Sequence, residues 1–324
     1  MTSVAPASPL ADAELLRLVT VLRSAGYRFT TVTPATHERV NRRYGAGRGR
    51  TVADALGWSR PFDRADLPPD VVDALDRAGA LRRDGALWRS AVRVSGYGGE
   101  LFVHSAFPPA EADAVFFGPD THRTADAVLE HLAGRAEPPR RVVDVGCGSG
   151  AVAVTVAKRL PGAEVLAVDI NPAALQLSRV NAAAAGAGNV RVARSDLLDD
   201  VPGDFDLIVS NPPFMIDPQR RAYRDGGGEH GHDVPLALVS AAAGRLAPGG
   251  SLVLFAGTGV VEGRDPLRAA VAGRLAGTGL QWTYREVDPD AYGENLEDPA
   301  YAHADRIALV VLTATRPGEE HSCR

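Results

Sequence analysis

The most chemically telling stretch of this 324-residue chain is Asn211-Pro212-Pro213-Phe214, which closes the apolar run Leu207–Ser210. An amide-like nitrogen is a poor nucleophile because its lone pair is delocalised. The Asn211 side-chain carbonyl and the Pro212 backbone carbonyl can each accept an N–H bond from such a nitrogen. That orients it and favours the positive charge that develops as it attacks. Proline lacks an N–H and restricts φ, so Pro212 and Pro213 hold those carbonyls still. Phe214 can stack on a planar group or cover a cation. Alone, the tetrapeptide is also compatible with an ordinary turn after a strand.

Three further motifs precede it in order. Asp144-Val145-Gly146-Cys147-Gly148-Ser149-Gly150 ends one apolar run, and its alternate glycines let backbone N–H groups approach a ligand and turn into a helix. Asp169 ends the next run, Val165–Asp169, about 20 residues on, where a carboxylate can accept both hydroxyls of a ribose. Ser195-Asp196-Leu197 follows a third run; by itself Asp196 reads equally as a helix cap.

These motifs need a rigid frame. From Arg140 onward short β-branched runs alternate with helical stretches. Strands are predicted at Val142–Val145, Val165–Asp169, Val190–Ala193, Leu207–Ser210, Leu252–Ala256 and Ile307–Thr313. Helices are predicted at Ala151–Leu160, Ala173–Ala185 and Pro235–Leu246, the second opened by Asn171-Pro172. The alternation implies an α/β architecture, a parallel sheet with helices on both faces.

In this order the motifs resemble class I S-adenosylmethionine (SAM) methyltransferases, in the branch whose Asn-Pro-Pro-Tyr/Phe signature serves methylation of planar nitrogens. Known members act on the glutamine amide of release factors, on exocyclic amines of guanine or adenine, and on guanidine or amide nitrogens of smaller substrates. The resemblance covers about residues 106–314. It implies a Rossmann-like, mostly parallel seven-stranded sheet and SAM as cofactor. The implied cofactor residues are Thr121, Asp144, Gly146, Cys147, Gly148, Gly150, Asp169, Ile170, Asn171, Ser195, Asp196, Leu197 and Asn211. Asp196 and its apolar neighbour would meet the adenine. Asn211, Pro212, Pro213 and Phe214 would hold the acceptor.

The substrate expectation comes from elsewhere. Glu286–Asp305 is strongly acidic, with Tyr292, Tyr301 and His303 interleaved. Carboxylates among aromatics suit a guanidinium. The chain also resembles an actinobacterial-type branch that includes free-arginine N-methyltransferases of natural-product pathways. That resemblance implies the L-arginine guanidine as acceptor, with Glu294 or Glu297 orienting it and taking a proton, since its pKa lies above ~12. His230 and His232, in a glycine-rich stretch after Asn211, are further candidate bases. Release-factor enzymes carry a Pro-Arg-x-Glu-Thr type sequence upstream of the glycine loop. Here Gly118-Pro119-Asp120-Thr121 stands instead, which turns the expectation from a protein glutamine to a small molecule. An rRNA or tRNA base, a protein glutamine and a non-enzymatic SAM-binding scaffold are the alternatives.

Residues 1–105 read as an accessory cap and 106–324 as the catalytic domain, two domains at ~150 residues each. Helices are expected at Asp12–Ala25, Thr36–Tyr44, Thr51–Leu56 and Pro69–Gly79, after a small-residue tail at 1–12. A β-hairpin is expected from Ala86–Val94 and Leu101–Ala106. That winged-helix outline, with Arg39, Arg42, Arg43, Arg48 and Arg50, invites nucleic acid. The net charge of −5, with Lys158 the only lysine, favours instead a cap over a substrate pocket or a homodimer face. Two cysteines, Cys147 and Cys323, give neither a disulfide framework nor a metal site. With no apolar stretch near ~18 residues, no membrane partner is expected and a cytoplasmic location is.

Overall fold

The computed structural model describes residues 11–43, 47–109 and 111–318. Residues 1–10 of the tail expected at 1–12, Tyr44 and Cys323 lie outside them. The N-terminal part opens with α1 (Asp12–Ser24), α2 (Pro34–Arg43), α3 (Val52–Leu56) and α4 (Pro69–Arg77). Their starts are encoded locally. The Thr51 hydroxyl accepts the Asp54 N–H while the Asp54 carboxylate accepts the Thr51 N–H, a reciprocal cap on α3. Pro69 occupies the first turn of α4, where its missing N–H costs nothing. Leu15, Leu18, Val19 and Leu22 of α1 and Val71, Val72 and Leu75 of α4 are buried together, the 3.6-residue spacing doing what it predicts.

Two hairpins follow where one was expected. β1 (Leu81–Asp84) pairs with β2 (Leu87–Ser90), and β3 (Val92–Tyr97) with β4 (Glu100–Ser105). The run Ala86–Val94 is therefore broken at Ala91. Gly98 and Gly99, both at positive φ, form the tight turn between β3 and β4.

The remainder contains the six predicted strands and three predicted helices, with α-helices at Pro119–Ala133 and Pro266–Leu275 and a strand at Gln281–Asp288 in addition. α5 (Pro119–Ala133) precedes β5 (Arg141–Val145), α6 (Ala151–Arg159), β6 (Glu164–Asp169), α7 (Pro172–Ala184), β7 (Val190–Arg194) and β8 (Phe205–Ser210). Then come α8 (Asp233–Ala243), β9 (Leu246–Val260), α9 (Pro266–Leu275), β10 (Gln281–Asp288) and β11 (Arg306–Thr315). One seven-stranded sheet has the order β10-β11-β9-β8-β5-β6-β7. Its five strands from β9 to β7 are parallel, and β10 and β11 add an antiparallel edge.

Strand order reverses between β5 and β8: the chain winds outward through β6 and β7, then returns to lay β8 on the other side of β5. A crevice opens at such a switch point, at the carboxyl ends of the strands. All four motifs end up there.

β10 escaped the sequence reading because it is an edge strand with Trp282 and Tyr284 half-buried among polar neighbours, not an apolar run. α5 is also absent from the predicted helices. It begins at Pro119 and buries Ala125, Val128 and Leu132, so Thr121 sits in its first turn.

The N-terminal part docks on α7. Ala174, Leu177 and Val180 of that helix share one apolar cluster with α1, α4 and the β3–β4 hairpin. The joint is Asn181, fully buried. Its Oδ1 accepts the Val103 N–H at 2.8 Å, and its Nδ2 donates to Val103 O at 2.9 Å and to Ser149 O at 2.8 Å. One amide thus ties β4 to the glycine loop.

Candidate functional site

A cavity of about 370 Å³ lies at the switch point. Of the residues predicted to hold a cofactor, Thr121, Asp144, Gly146, Cys147, Gly148, Asp169, Ile170, Asn171, Ser195, Asp196, Leu197 and Asn211 all line it, as do Pro212 and Pro213. The sequence separates them by up to ninety positions; the parallel strand ends bring them to one wall.

The glycine loop leaves β5 with Gly146 at φ 69° and Gly148 at φ 53°, conformations an L side chain resists. Gly146 has open space where a Cβ would stand. Asp169, at the end of β6, clasps this loop: one carboxylate oxygen accepts the Gly148 N–H at 3.0 Å and the other the Asn171 N–H at 2.9 Å. Burial raises its pKa, and those backbone donors pull it back. Asp144 is held deeper, its carboxylate accepting the Ala153 N–H at 2.9 Å; burial pushes its pKa up to about 7. Ile170 is 50% exposed, an apolar side chain with no cover, on the cavity wall beside Asp169.

Gly150 does not line the cavity. It lies at φ 74°, where a Cβ would sit 2.8 Å from Ser178 Oγ of α7. Its place in the motif is set by close loop–helix packing, not by ligand contact.

The Asn211 side chain makes no hydrogen bond among the described residues, and it lines the cavity with its carbonyl and amide both uncommitted. The segment after it is braced from two sides. Gly226 and Gly231 pack so closely on its backbone that a Cβ on Gly231 would come within 2.4 Å of Phe214 O. Gly226 donates to Met215 O at 2.9 Å. From the other side the Tyr301 hydroxyl accepts the Ile216 N–H at 2.8 Å.

Three expectations about the acceptor side are corrected. Phe214 is buried and faces away from the cavity, edge-on to Phe255 and Tyr292 at 6.3 Å each. Gly257 of β9 makes the room, since a Cβ there would lie 2.6 Å from the Phe214 ring. Glu294 and Glu297 sit exposed on a single 3-10 turn, Gly293–Glu297, and neither lines the cavity. The aromatics between the acids point inward as braces, with the Tyr292 hydroxyl on the Asp120 carboxylate. The acids themselves are spent on the fold: Asp288 pairs with Arg123 at 2.9 Å and Glu286 with Arg306 at 2.9 Å. His230 and His232 are also off the cavity wall, and burial pulls the His232 imidazole down to about 4.

Sequence reasoning missed Asp225 and Tyr223, which do line the cavity. The Met215–Asp225 bridge sets Asp225 beside the Asn211 segment. The signal was present, since Asp225 opens the glycine-rich stretch 226–228 that folds back on the motif. Among the described residues no group of His, Cys, Asp or Glu is arranged to hold a metal, and no helix is long and apolar enough to cross a membrane.

The Methyltransferase small domain family matches residues 110–261. A release factor glutamine methyltransferase of Deinococcus radiodurans is 40% identical over 195 residues, 57% of this chain and 65% of that protein. The match thus spans just under two thirds of that relative's length. A second, from Cereibacter sphaeroides, is 32% identical over 263 residues, 76% of this chain and 90% of that protein. Among solved structures, the ribosomal protein L11 methylase of Lactobacillus delbrueckii subsp. bulgaricus has a TM-score of 0.42 at 23% identity, over 63% of this chain and 81% of that one. Neither relative's name carries arginine or natural-product chemistry, so the free-arginine expectation gains no support from them.

Proposed function

This chain belongs to the SAM-dependent methyltransferases, in the family that includes the release factor glutamine methyltransferases, and from that premise we propose that it methylates the side-chain amide nitrogen of a glutamine in a protein of the release-factor type. The observation that carries the reading is the uncommitted Asn211 side chain, fixed at the end of β8 on the same wall as Asp169 and the glycine loop.

The residues present fit the cofactor. The exposed Ile170 offers an apolar face for the purine, Asp169 a carboxylate for the ribose hydroxyls, and the Gly146–Gly148 backbone a surface no side chain blocks. SAM supplies an electrophilic methyl group on a sulfonium. The chain's part is to present the nitrogen. Asn211 Oδ1 and the Pro212 carbonyl accept its two N–H bonds, which fixes the amide plane so that the face carrying the nitrogen lone pair is turned to the methyl group, and stabilises the charge developing on nitrogen. The glycine-rich stretch 226–231 and Tyr301 keep those acceptors from moving, so no reorganisation is needed as the bond forms. Asp225 lines the same cavity, and we assign it as the carboxylate that receives the proton that leaves.

The test is methyl transfer from labelled SAM to a purified bacterial release factor, with free L-arginine and total tRNA as parallel acceptors, followed by peptide mass spectrometry. N-methylglutamine in the release factor is expected. Label on arginine or tRNA, with the release factor unlabelled, would overturn the reading.

A further inference from the structure

A second, smaller cavity of about 30 Å³ adjoins the first, and Val115, Phe116 and Tyr223 line both. Its other walls come from the N-terminal part and include Arg93, His37 and Thr31. Arg93 is an unusual residue to find there. It is 3% exposed, sits near the open end of the β3–β4 hairpin opposite His104, and has no carboxylate within ion-pair distance among the described residues. Its Nε donates to Gly57 O at 2.9 Å and its guanidinium lies over the Phe29 ring at 5.5 Å, but Nη2 is buried with no partner. Burial pulls its pKa down to about 10, which still leaves a cation at neutral pH. A buried charge without a counter-charge is costly, and a protein that keeps one generally uses it.

His37 repeats the pattern. It is 3% exposed and packed between Trp58 and Phe107. The orientation of Asn41 is fixed by Arg60 Nε donating to its Oδ1 at 2.8 Å and by its Nδ2 donating to Trp58 O at 3.0 Å. Its other amide hydrogen lies toward His37 Nδ1 at 3.4 Å, and the Trp58 backbone is a further hydrogen-bond partner of the same ring. His37 Nε2 is likewise buried with no partner. Burial, with Arg93 nearby, pulls the imidazole down to about 4, which keeps it neutral.

We propose that Arg93 and His37 form a carboxylate-binding subsite, and that the carboxylate is carried by the methyl acceptor whose nitrogen lies at Asn211. The chemistry is that of a planar, monoanionic acceptor. A guanidinium fork meets the two oxygens of a carboxylate side by side, which an ammonium cannot do. The volume holds about two water-sized oxygens at ~10–15 Å³ each, which suits the two oxygens of a carboxylate. Ala114, Val115, Phe116 and Tyr223 line both cavities, so this anchor adjoins the one that Asn211 lines. The carboxylate's attachment to the acceptor rests on the reading of Asn211 given above; the existence of the subsite does not.

Sodium acetate is the probe. The full chain is titrated with acetate against sodium chloride at equal ionic strength, while the His37 ring and Arg93 Nε signals are followed by NMR. A saturable shift with acetate alone is expected, lost in Arg93→Gln and weakened about tenfold in Arg93→Lys, which keeps the charge but not the fork. SAM binding, measured on each variant, shows that it is folded. No saturable acetate response, or one that survives in folded Arg93→Gln, overturns the subsite. Acetate should also raise KM for the methyl acceptor identified by the transfer screen without raising KM for SAM. Acetate that binds but leaves the acceptor KM unchanged overturns the assignment to the acceptor. Because the titration involves no methyl transfer, a release factor that proves not to be the acceptor does not disturb it.

Discussion

The cavity under Asn211 and the pocket at Arg93 share Val115, Phe116 and Tyr223, yet they are assembled in different ways. The first takes most of its lining from the ends of β5, β6, β7 and β8 and the turns after them, because a parallel strand delivers its last residue and the turn after it to the same edge of the sheet. The second takes its lining from the segment leading into α2, α2 itself, β3, the end of β4 with the connection after it, and the loop at Tyr223. Chemistry that every member of a fold needs can be built on the frame. On the reading proposed above, the cofactor is met by the frame, and Arg93 and His37 are supplied by what leans on it.

The largest test of this contrast is Asn211→Ala. Removing a preorganised group aimed at developing charge costs about 10²–10³-fold in rate. Methyl transfer should fall by that much, read as kcat in a labelled-SAM assay, while SAM affinity stays within about threefold. A comparable loss of SAM affinity would mean that Asn211 serves the cofactor more than the acceptor, and the separation between the two cavities would blur.

Asn181 tests whether the two regions are mechanically joined. Its amide satisfies both polar groups of Val103 and the carbonyl of Ser149 in a fully buried position. Truncation strands three buried polar groups at about 1–3 kcal/mol each, partly relieved by water in the space left. Asn181→Ala should lower the denaturant-derived unfolding free energy by about 2–4 kcal/mol and weaken SAM binding, because Ser149 belongs to the glycine loop. Lost stability with unchanged SAM affinity would show that β4 and the loop are held independently.

What could be read in advance divides along the same line. The glycine loop, Asp169, Asp196 and Asn211 were legible because each carries its chemistry in three to five adjacent residues at a strand end. Gly150 was legible as part of a motif but not in its role, since nothing in the sequence says that Ser178 lies against it. Phe214 misled for a similar reason. Its direction is decided by the absence of a side chain on Gly257, more than forty positions away. Arg93 could not be singled out: in an arginine-rich chain, only burial and the lack of a partner distinguish it. α5 and β10 were missed because both are amphipathic elements whose apolar residues are diluted by polar and charged ones.

The smallest effect expected belongs to the pair that the acidic composition made most conspicuous. Glu294 and Glu297 stand exposed on the 3-10 turn that Gly293–Glu297 forms, off the cavity wall. Neither carboxylate reaches the cavity lining, and a carboxylate in open solvent is screened, so neither is placed to orient a substrate or hold its proton. What the segment contributes is inward: Tyr292 against Phe214 and Asp120, and Tyr301 on the Ile216 N–H. Glu294→Gln with Glu297→Gln should therefore leave kcat and the acceptor KM within about twofold and stability within about 0.5 kcal/mol. A tenfold rise in acceptor KM would move the acceptor's recognition from the Arg93 pocket to this acidic face. It would also reverse the sign of the charge the substrate must carry, from an anion sought by a guanidinium to a cation sought by carboxylates.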